Sequence, residues 1–294
     1  MGPALGLIKT IRPHQWVKNV FVAAPLVFSR HLTDPAYVAR TAIAVLAFCL
    51  LSGAVYAFND VRDVEQDRAH PKKRHRPIAA GILSERAALM SAAALATVAL
   101  GACLVIAWPL AAFAAGYLVQ NVAYSLRLKH IAFVDVAVIA SGFLLRVLAG
   151  AAAIAVPASG WLLLCTALLA TFLGLGKRAH ELSWAERAGQ ATQTRAALAG
   201  YRIPVVRVAM LVLALGTCGA YLAYTVDPHT VAFFGTDRLA YSTPFVVLGI
   251  VRFLGLALWW PKDDSPTEAM LRDPWFLAIL GGAVATIVSV IYVH

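Results

Sequence analysis

The sequence predicts an all-α fold: one polytopic membrane domain over residues 1–294, with nine transmembrane helices. Three observations carry this. The chain is 61% hydrophobic and only 14% charged, with mean hydropathy +0.74, whereas soluble domains sit near roughly 45–50% and about 25%. Its apolar residues gather into runs close to the roughly 20 residues that a membrane-crossing helix needs. Those runs are uniformly apolar rather than alternating, which fits helices and not barrel strands, because backbone groups in lipid must be bonded within their own structure.

The expected spans follow in order. The first, 17–29, is short and carries Pro25. The second, 38–58, runs into a charged stretch that His70-Pro71 ends, since a residue before proline disfavours the helical region. The third and fourth, 86–107 and 110–127, are separated at Trp108. The fifth, 131–154, holds Arg146 and the small-residue run "AGAAAIA", which suits close helix packing. The sixth, 161–177, starts at Trp161 and closes on a second charged cluster. The seventh is 205–226, the eighth, 240–260, ends at Trp259 and Trp260, and the ninth, 274–293, starts at Trp275. Tryptophans at span ends form the interfacial belt. Cys49, Cys103, Cys165 and Cys218 are isolated inside spans, with neither metal spacing nor a disulfide partner implied.

The formal charge is +10, yet its distribution argues against nucleic acid. With the N-terminus inside, the inner loops hold Lys9, Arg12 and Lys18, seven bases from Arg62 to Arg86, Arg127, Lys129, the run from Lys177 to Arg207, Lys262 and Arg272. The outer loops hold Arg30, Arg40 and Arg238. This follows the positive-inside rule and sets the N-terminus in the cytoplasm and the C-terminus outside, in a plasma membrane. Part of the basic excess serves orientation and attraction to anionic lipid. No cleavable leader is expected, because Pro25 breaks the first apolar run and no small-residue cleavage site follows.

Charge concentrates in "YAFNDVRDVEQDRAHPKKRHRPIAAG", residues 56–81. Asn59, Asp63 and Asp67 stand at i, i+4 and i+8, a spacing that aligns them on one helical face over roughly two turns. Oxygen donors of this kind suit Mg²⁺, which prefers one or two carboxylates completed by water and substrate phosphate. Asp60 and Glu65 lie off that face and are expected to pair with bases. Carboxylates for a metal, followed by Lys73 and Arg76 for phosphate oxygens, make the two halves of a diphosphate site. The bland alternative is a solvated helix end stitched by salt bridges.

The motif "NDVRDVEQD" resembles the NxxxDxxxD motif of the UbiA superfamily of intramembrane prenyltransferases, and length, topology and motif position agree. That resemblance implies a nine-helix bundle with an inner-face polar cap, here from loops 59–86 and 177–204. Such enzymes carry a second aspartate motif after the sixth helix. This chain instead offers Lys177, Arg178 and Glu181 in "GKRAHEL". One carboxylate between two cations suits a metal-free phosphate better than a second Mg²⁺; a basic helix end serving orientation is the alternative.

A narrower resemblance is to the branch that moves phosphoribose to decaprenyl phosphate, carried by "IRPHQWVKNVFVAAPL", "NDVRDVEQDRAHPKKRHRPIAAG", "YSLRLKH", "ASGFLLRVLAGAAA" and "GKRAHEL". The last third matches through "AGY" near Tyr201, "IVRFLGL" near Arg252 and "LRDPW" near Asp273. The resemblance implies 5-phosphoribosyl 1-diphosphate as donor, its diphosphate held through Mg²⁺ by Asn59, Asp63 and Asp67 as catalytic residues. Lys177, Arg178 and Lys18 or Arg76 would grip the 5-phosphate or the acceptor phosphate. The acceptor would be a polyprenyl phosphate in the bilayer, on a path to cell-wall arabinan. A homo-oligomer is left open.

Further residues join the candidate set. Arg146 lies mid-span, where a charge costs at least ~2.5 kcal/mol unless it meets a polar cavity. Eleven residues separate it from Asp135, about 16 Å along a helix, too far for a pair. Asp135 reads equally as a site carboxylate or a solvated terminus. Tyr124 reads as a substrate contact or an interfacial aromatic. The competing enzyme is a prenyltransferase acting on an aromatic acceptor such as 4-hydroxybenzoate, which would need a second carboxylate set. A transporter would place its polar residues near the midplane instead.

Overall fold

A computed structural model describes residues 2–187, 196–259 and 265–293. Trp260 and Lys262 therefore lie outside the described residues. Among those described, the regular structure is entirely helical. The chain falls into two compact units, residues 1–128 with 142–158 and residues 129–141 with 159–294.

The first unit opens with α1 (Pro3–Ile11), which stops at Arg12 in the left-handed region, φ 51. A 3-10 run, Pro13–Ala23, leads into α2 (Ala24–Phe28). α3 (Pro35–Arg62) has Pro35 at its first position, while the Asp34 carboxylate accepts the Ala36 N–H at 2.9 Å. Its 28 residues measure about 42 Å, more than the roughly 30 Å of bilayer hydrocarbon, so its charged end stands beyond the apolar layer. α4 (Val64–Ala69) continues it. α5 (Glu85–Ile106) starts at Ser84, whose hydroxyl accepts the Ala87 N–H, and α6 (Trp108–Leu126) follows. The second half of α7 (Val134–Ala153), from Gly142, completes the unit. Its core sets Val22, Leu26, Phe48, Leu51, Leu110 and Tyr117 among alanines. At Gly150 a Cβ would lie 1.9 Å from the Val22 carbonyl oxygen, so the small-residue run permits backbone-to-backbone approach.

The second unit contains the start of α7, then α8 (Gly160–Arg187), α9 (Ile203–Val226), α10 (Pro228–Phe234) and α11 (Thr243–Leu254). A π-helical segment, Gly255–Trp259, extends α11, and α12 (Pro266–Arg272) and α13 (Pro274–Tyr292) close the chain. Val136, Phe172, Leu175, Met210 and Phe253 form its centre. Gly176 is needed there, because a Cβ would meet the Phe253 ring at 2.5 Å.

Among the described residues, seven helices are long and apolar enough to cross a membrane, against the nine expected. Both of the other segments are helical. Segment 17–29 is wound as a 3-10 run before the five-residue α2, and α6 has its apolar run interrupted by Gln120 and Asn121. Outward faces are apolar: only 17% of the apolar window of α5 is buried, with Met90, Val98, Leu104 and Val105 exposed. Such a surface needs lipid.

Candidate active site

The charged end of α3 is built by helix register. Asp63 N–H bonds the Asn59 carbonyl at 3.0 Å and Asp67 N–H bonds the Asp63 carbonyl at 2.8 Å. The four-residue step therefore survives the break between α3 and α4, and Asn59, Asp63 and Asp67 stay in line. Asn59 Nδ2 donates to Asp63 Oδ2 at 3.1 Å, which leaves the amide oxygen of Asn59 as its acceptor atom. Asn59 and Asp63 are half-buried and Asp67 is buried.

Asp60 organises the bases around this face. It is 2% exposed and accepts Arg12 at 2.5 Å and Arg76 at 3.0 Å. The same Arg76 nitrogen donates to Asp67 Oδ2 at 2.6 Å. Arg12 also lies over the Tyr56 ring, 4.9 Å from its centroid. Glu65 pairs with Arg68 at 2.6 Å, so both off-face carboxylates take basic partners as expected. Arg76, expected to meet phosphate, here bridges two carboxylates. Arg12, read from sequence only as an orienting charge, belongs to the cluster. Lys73 is half-buried in the loop that follows, as is Lys18 on the 3-10 run. His70 shapes that loop: its Nδ1 accepts the N–H groups of Lys72 at 3.2 Å and Lys73 at 3.3 Å. Burial first, then the Lys73 charge, holds the ring below its ordinary pKa.

Arg146 is buried among polar partners in the first unit. It donates to Asn19 Oδ1 at 2.8 Å, the Gly142 carbonyl at 2.9 Å and the Tyr117 hydroxyl at 2.9 Å. Ser52 joins both Asn19 and Tyr117 at 3.3 Å. Asn19 and Tyr117 were not foreseen, because neither stands near Arg146 in sequence. Tyr124 is half-buried on α6.

In the second unit, Arg178 is fully buried and sits between two carboxylates, Asp135 Oδ2 at 2.7 Å from its Nε and Glu181 bonded to its other end. The Asp135 contact is a charge contact, with the N–H directed off the oxygen. Asp135 is fully buried too, so the solvated-terminus reading does not hold. Its Oδ1 accepts the Tyr201 hydroxyl at 2.5 Å. Burial, and then that bond to Asp135, raises the Tyr201 pKa well above the ordinary phenol value, so it remains a proton donor. Asp135 and Arg178, expected to face substrate, thus turn onto each other, while Lys177 stays half-buried. Tyr201 was noted in sequence only as part of "AGY".

Among the described residues, no three His, Cys, Asp or Glu side chains are grouped to hold a metal. Two carboxylates and an amide oxygen, all hard donors on one face, fit an ion completed by substrate phosphate rather than one enclosed by protein.

A helical membrane protein with NxxxDxxxD at the end of a crossing helix defines the class of intramembrane transferases. The chain matches the UbiA prenyltransferase family over residues 20–280 and belongs to it. It is 36% identical to decaprenyl-phosphate phosphoribosyltransferase of Mycolicibacterium smegmatis, covering 98% of this chain and 92% of that one. It is 34% identical to the protein so named from Corynebacterium glutamicum, covering 98% and 87%. A UbiA homologue from Archaeoglobus fulgidus, solved with DMAPP and Mg²⁺, has the same fold with a TM-score of 0.72 at 17% identity, covering 98% of this chain and 99% of that one.

Proposed function

We propose that this transferase moves the 5-phosphoribosyl group of 5-phosphoribosyl 1-diphosphate to a polyprenyl phosphate, releasing diphosphate in a Mg²⁺-dependent reaction. The observation that carries this is full-length similarity, at 36% identity, to decaprenyl-phosphate phosphoribosyltransferases. The bond from the ribosyl carbon to the diphosphate oxygen breaks and its electron pair leaves with the diphosphate. An oxygen of the lipid phosphate bonds the same carbon. That oxygen is already anionic at neutral pH, so no general base is required.

Asn59, Asp63 and Asp67 would hold Mg²⁺, which when bound offsets the negative charge that builds on the leaving group. Asp60 fixes Arg76 and Arg12 beside them, so the bases need no reorganisation as charge develops. Lys18, Lys73 and Lys177 are our candidates for direct phosphate contact, with Glu181 and Tyr124 as further candidates to meet substrate. We also infer nine crossings with the N-terminus cytoplasmic and the polar ends at the inner face of the plasma membrane. Basic loops support the orientation. The 16 helical residues from Pro13 to Phe28 would measure about 30 Å with 3-10 rise, enough to cross.

The test is purified protein with Mg²⁺, labelled phosphoribosyl diphosphate and a polyprenyl phosphate. Label should enter the lipid fraction and disappear in Asp63→Ala. Product formed only from a prenyl diphosphate and an aromatic acid such as 4-hydroxybenzoate would overturn the reading.

A further inference from the structure

Four observations meet where residues 132–135 approach 200–201. A Cβ on Gly200 would lie 2.6 Å from the Ala132 Cβ, so only glycine lets the two segments come this close. Phe133 is held in the left-handed region, φ 65, a strained state for a bulky residue that persists when its surroundings enforce it. What enforces it is Tyr201. Its hydroxyl accepts the Phe133 N–H at 2.7 Å, and its ring packs on the Phe133 ring at 4.7 Å. The same hydroxyl donates to Asp135, whose second oxygen meets Arg178. Tyr201, Asp135 and Arg178 are 5%, 0% and 0% exposed.

We propose that Tyr201 and Asp135 are positioning residues, which clamp the start of α7 to the last turns of α8 and keep Arg178 internal, so that Lys177 is the cation this cluster offers to a substrate phosphate. The proposal rests on the transfer reaction proposed above. Arg178 lies between Asp135 and Glu181 and has no exposed surface. Lys177 is the preceding residue, about 100° round the helix, and retains exposure. Buried ion networks can often be replaced by apolar residues without loss of stability. Strain joined to such a network therefore marks a device that fixes geometry rather than one that adds stability.

The experiment compares Tyr201→Phe, Arg178→Lys, their double variant, Lys177→Ala and Lys177→Arg, with KM for donor and for lipid phosphate, kcat and thermal midpoint measured for each. Lys177→Ala should raise one substrate's KM about tenfold, and Lys177→Arg should restore most of it. The substrate affected identifies the phosphate as the ribose 5-phosphate or the lipid's. Tyr201→Phe and Arg178→Lys should raise the same KM several-fold, and the double variant should be no worse than the harsher single. Unchanged KM values in Tyr201→Phe, additive effects in the double variant, or an effect of Arg178→Lys with none from Lys177→Ala would each overturn the proposal. Failure of the transfer reaction itself would show as an inactive wild type. The clamp would then still be read from amide exchange at Phe133, which should quicken in Tyr201→Phe; unchanged exchange there refutes it.

Discussion

Asp60 sets the arrangement of the first cluster although it belongs to neither the row Asn59, Asp63 and Asp67 nor the bases around it. One buried carboxylate takes two guanidiniums. Removing it in Asp60→Ala leaves Arg12 and Arg76 close together without the anion between them. Loss of one partner from a buried pair costs about 3–5 kcal/mol, and because both arginines are partly exposed we expect about 2–3 kcal/mol from denaturant unfolding in detergent. Asp60→Asn keeps an acceptor and should cost less. His70 gives a second prediction at this scale. The folded pKa lies below the ordinary value near 6.5, so the closed loop is fully stable above about pH 6.5 and loses stability as pH falls through that value towards the lowered one. Protonated Nδ1 cannot accept the Lys72 and Lys73 amides. Exchange of amides 72–76, corrected for intrinsic rates, should therefore be faster at about pH 5 than at about pH 7.5. His70→Gln should abolish the difference. The row Asn59, Asp63, Asp67 was legible in sequence because a four-residue step needs only local helix geometry. Arg12 with Asp60, 48 residues apart, and Arg146 with Asn19, 127 apart, were not, because nothing local to either partner encodes the meeting.

Helices of this chain repeatedly begin at Asp-Pro. α3, α10 and α13 each have proline at the first position and an aspartate accepting an N–H two or three residues on. Asp227 caps α10, accepting the Thr230 N–H at 3.1 Å and the Thr230 hydroxyl at 3.4 Å, so Asp227→Ala should cost about 1 kcal/mol. Asp273 caps α13 and also takes Arg252 through both oxygens, at 3.1 and 2.7 Å, so its loss should cost visibly more in the same unfolding assay. Close packing gives a sharper test. At Gly150 the obstacle is a carbonyl oxygen of the Val22 backbone, which no rotamer change can move, so Gly150→Ala should destabilise by about 3 kcal/mol, at the upper end of ordinary overpacking. Hydrophobic runs announced the helices well, including both that fall outside the seven clear spans. They could not announce that residues 13–23 wind as a 3-10 helix, because apolar composition says that a segment is buried or lipid-facing without specifying how tightly it coils.

At the scale of the molecule, binding of metal and donor should be a single coupled event. The hard oxygen donors identified are the carboxylates of Asp63 and Asp67 and the amide of Asn59, and one Asp67 oxygen is already bonded to Arg76. No cluster of three His, Cys, Asp or Glu side chains among the described residues would enclose an ion. Mg²⁺ alone therefore finds too few ligands to bind tightly, and phosphoribosyl diphosphate alone meets carboxylates that repel it. Together each completes the other's shell. A ligand that binds only the folded state stabilises by about 2.7 kcal/mol at 100 times its Kd. Millimolar Mg²⁺ or donor added singly should shift the unfolding midpoint little, whereas both together should approach that full value. Chelation with EDTA should abolish the joint shift and the transfer while leaving the apo midpoint unchanged. Asp63→Ala should lose the joint shift with its apo midpoint near that of the wild type, since Asp63 is only half-buried. A full shift from Mg²⁺ alone would mean that the protein supplies a complete cage, and that the row at the end of α3 holds its ion without the departing diphosphate.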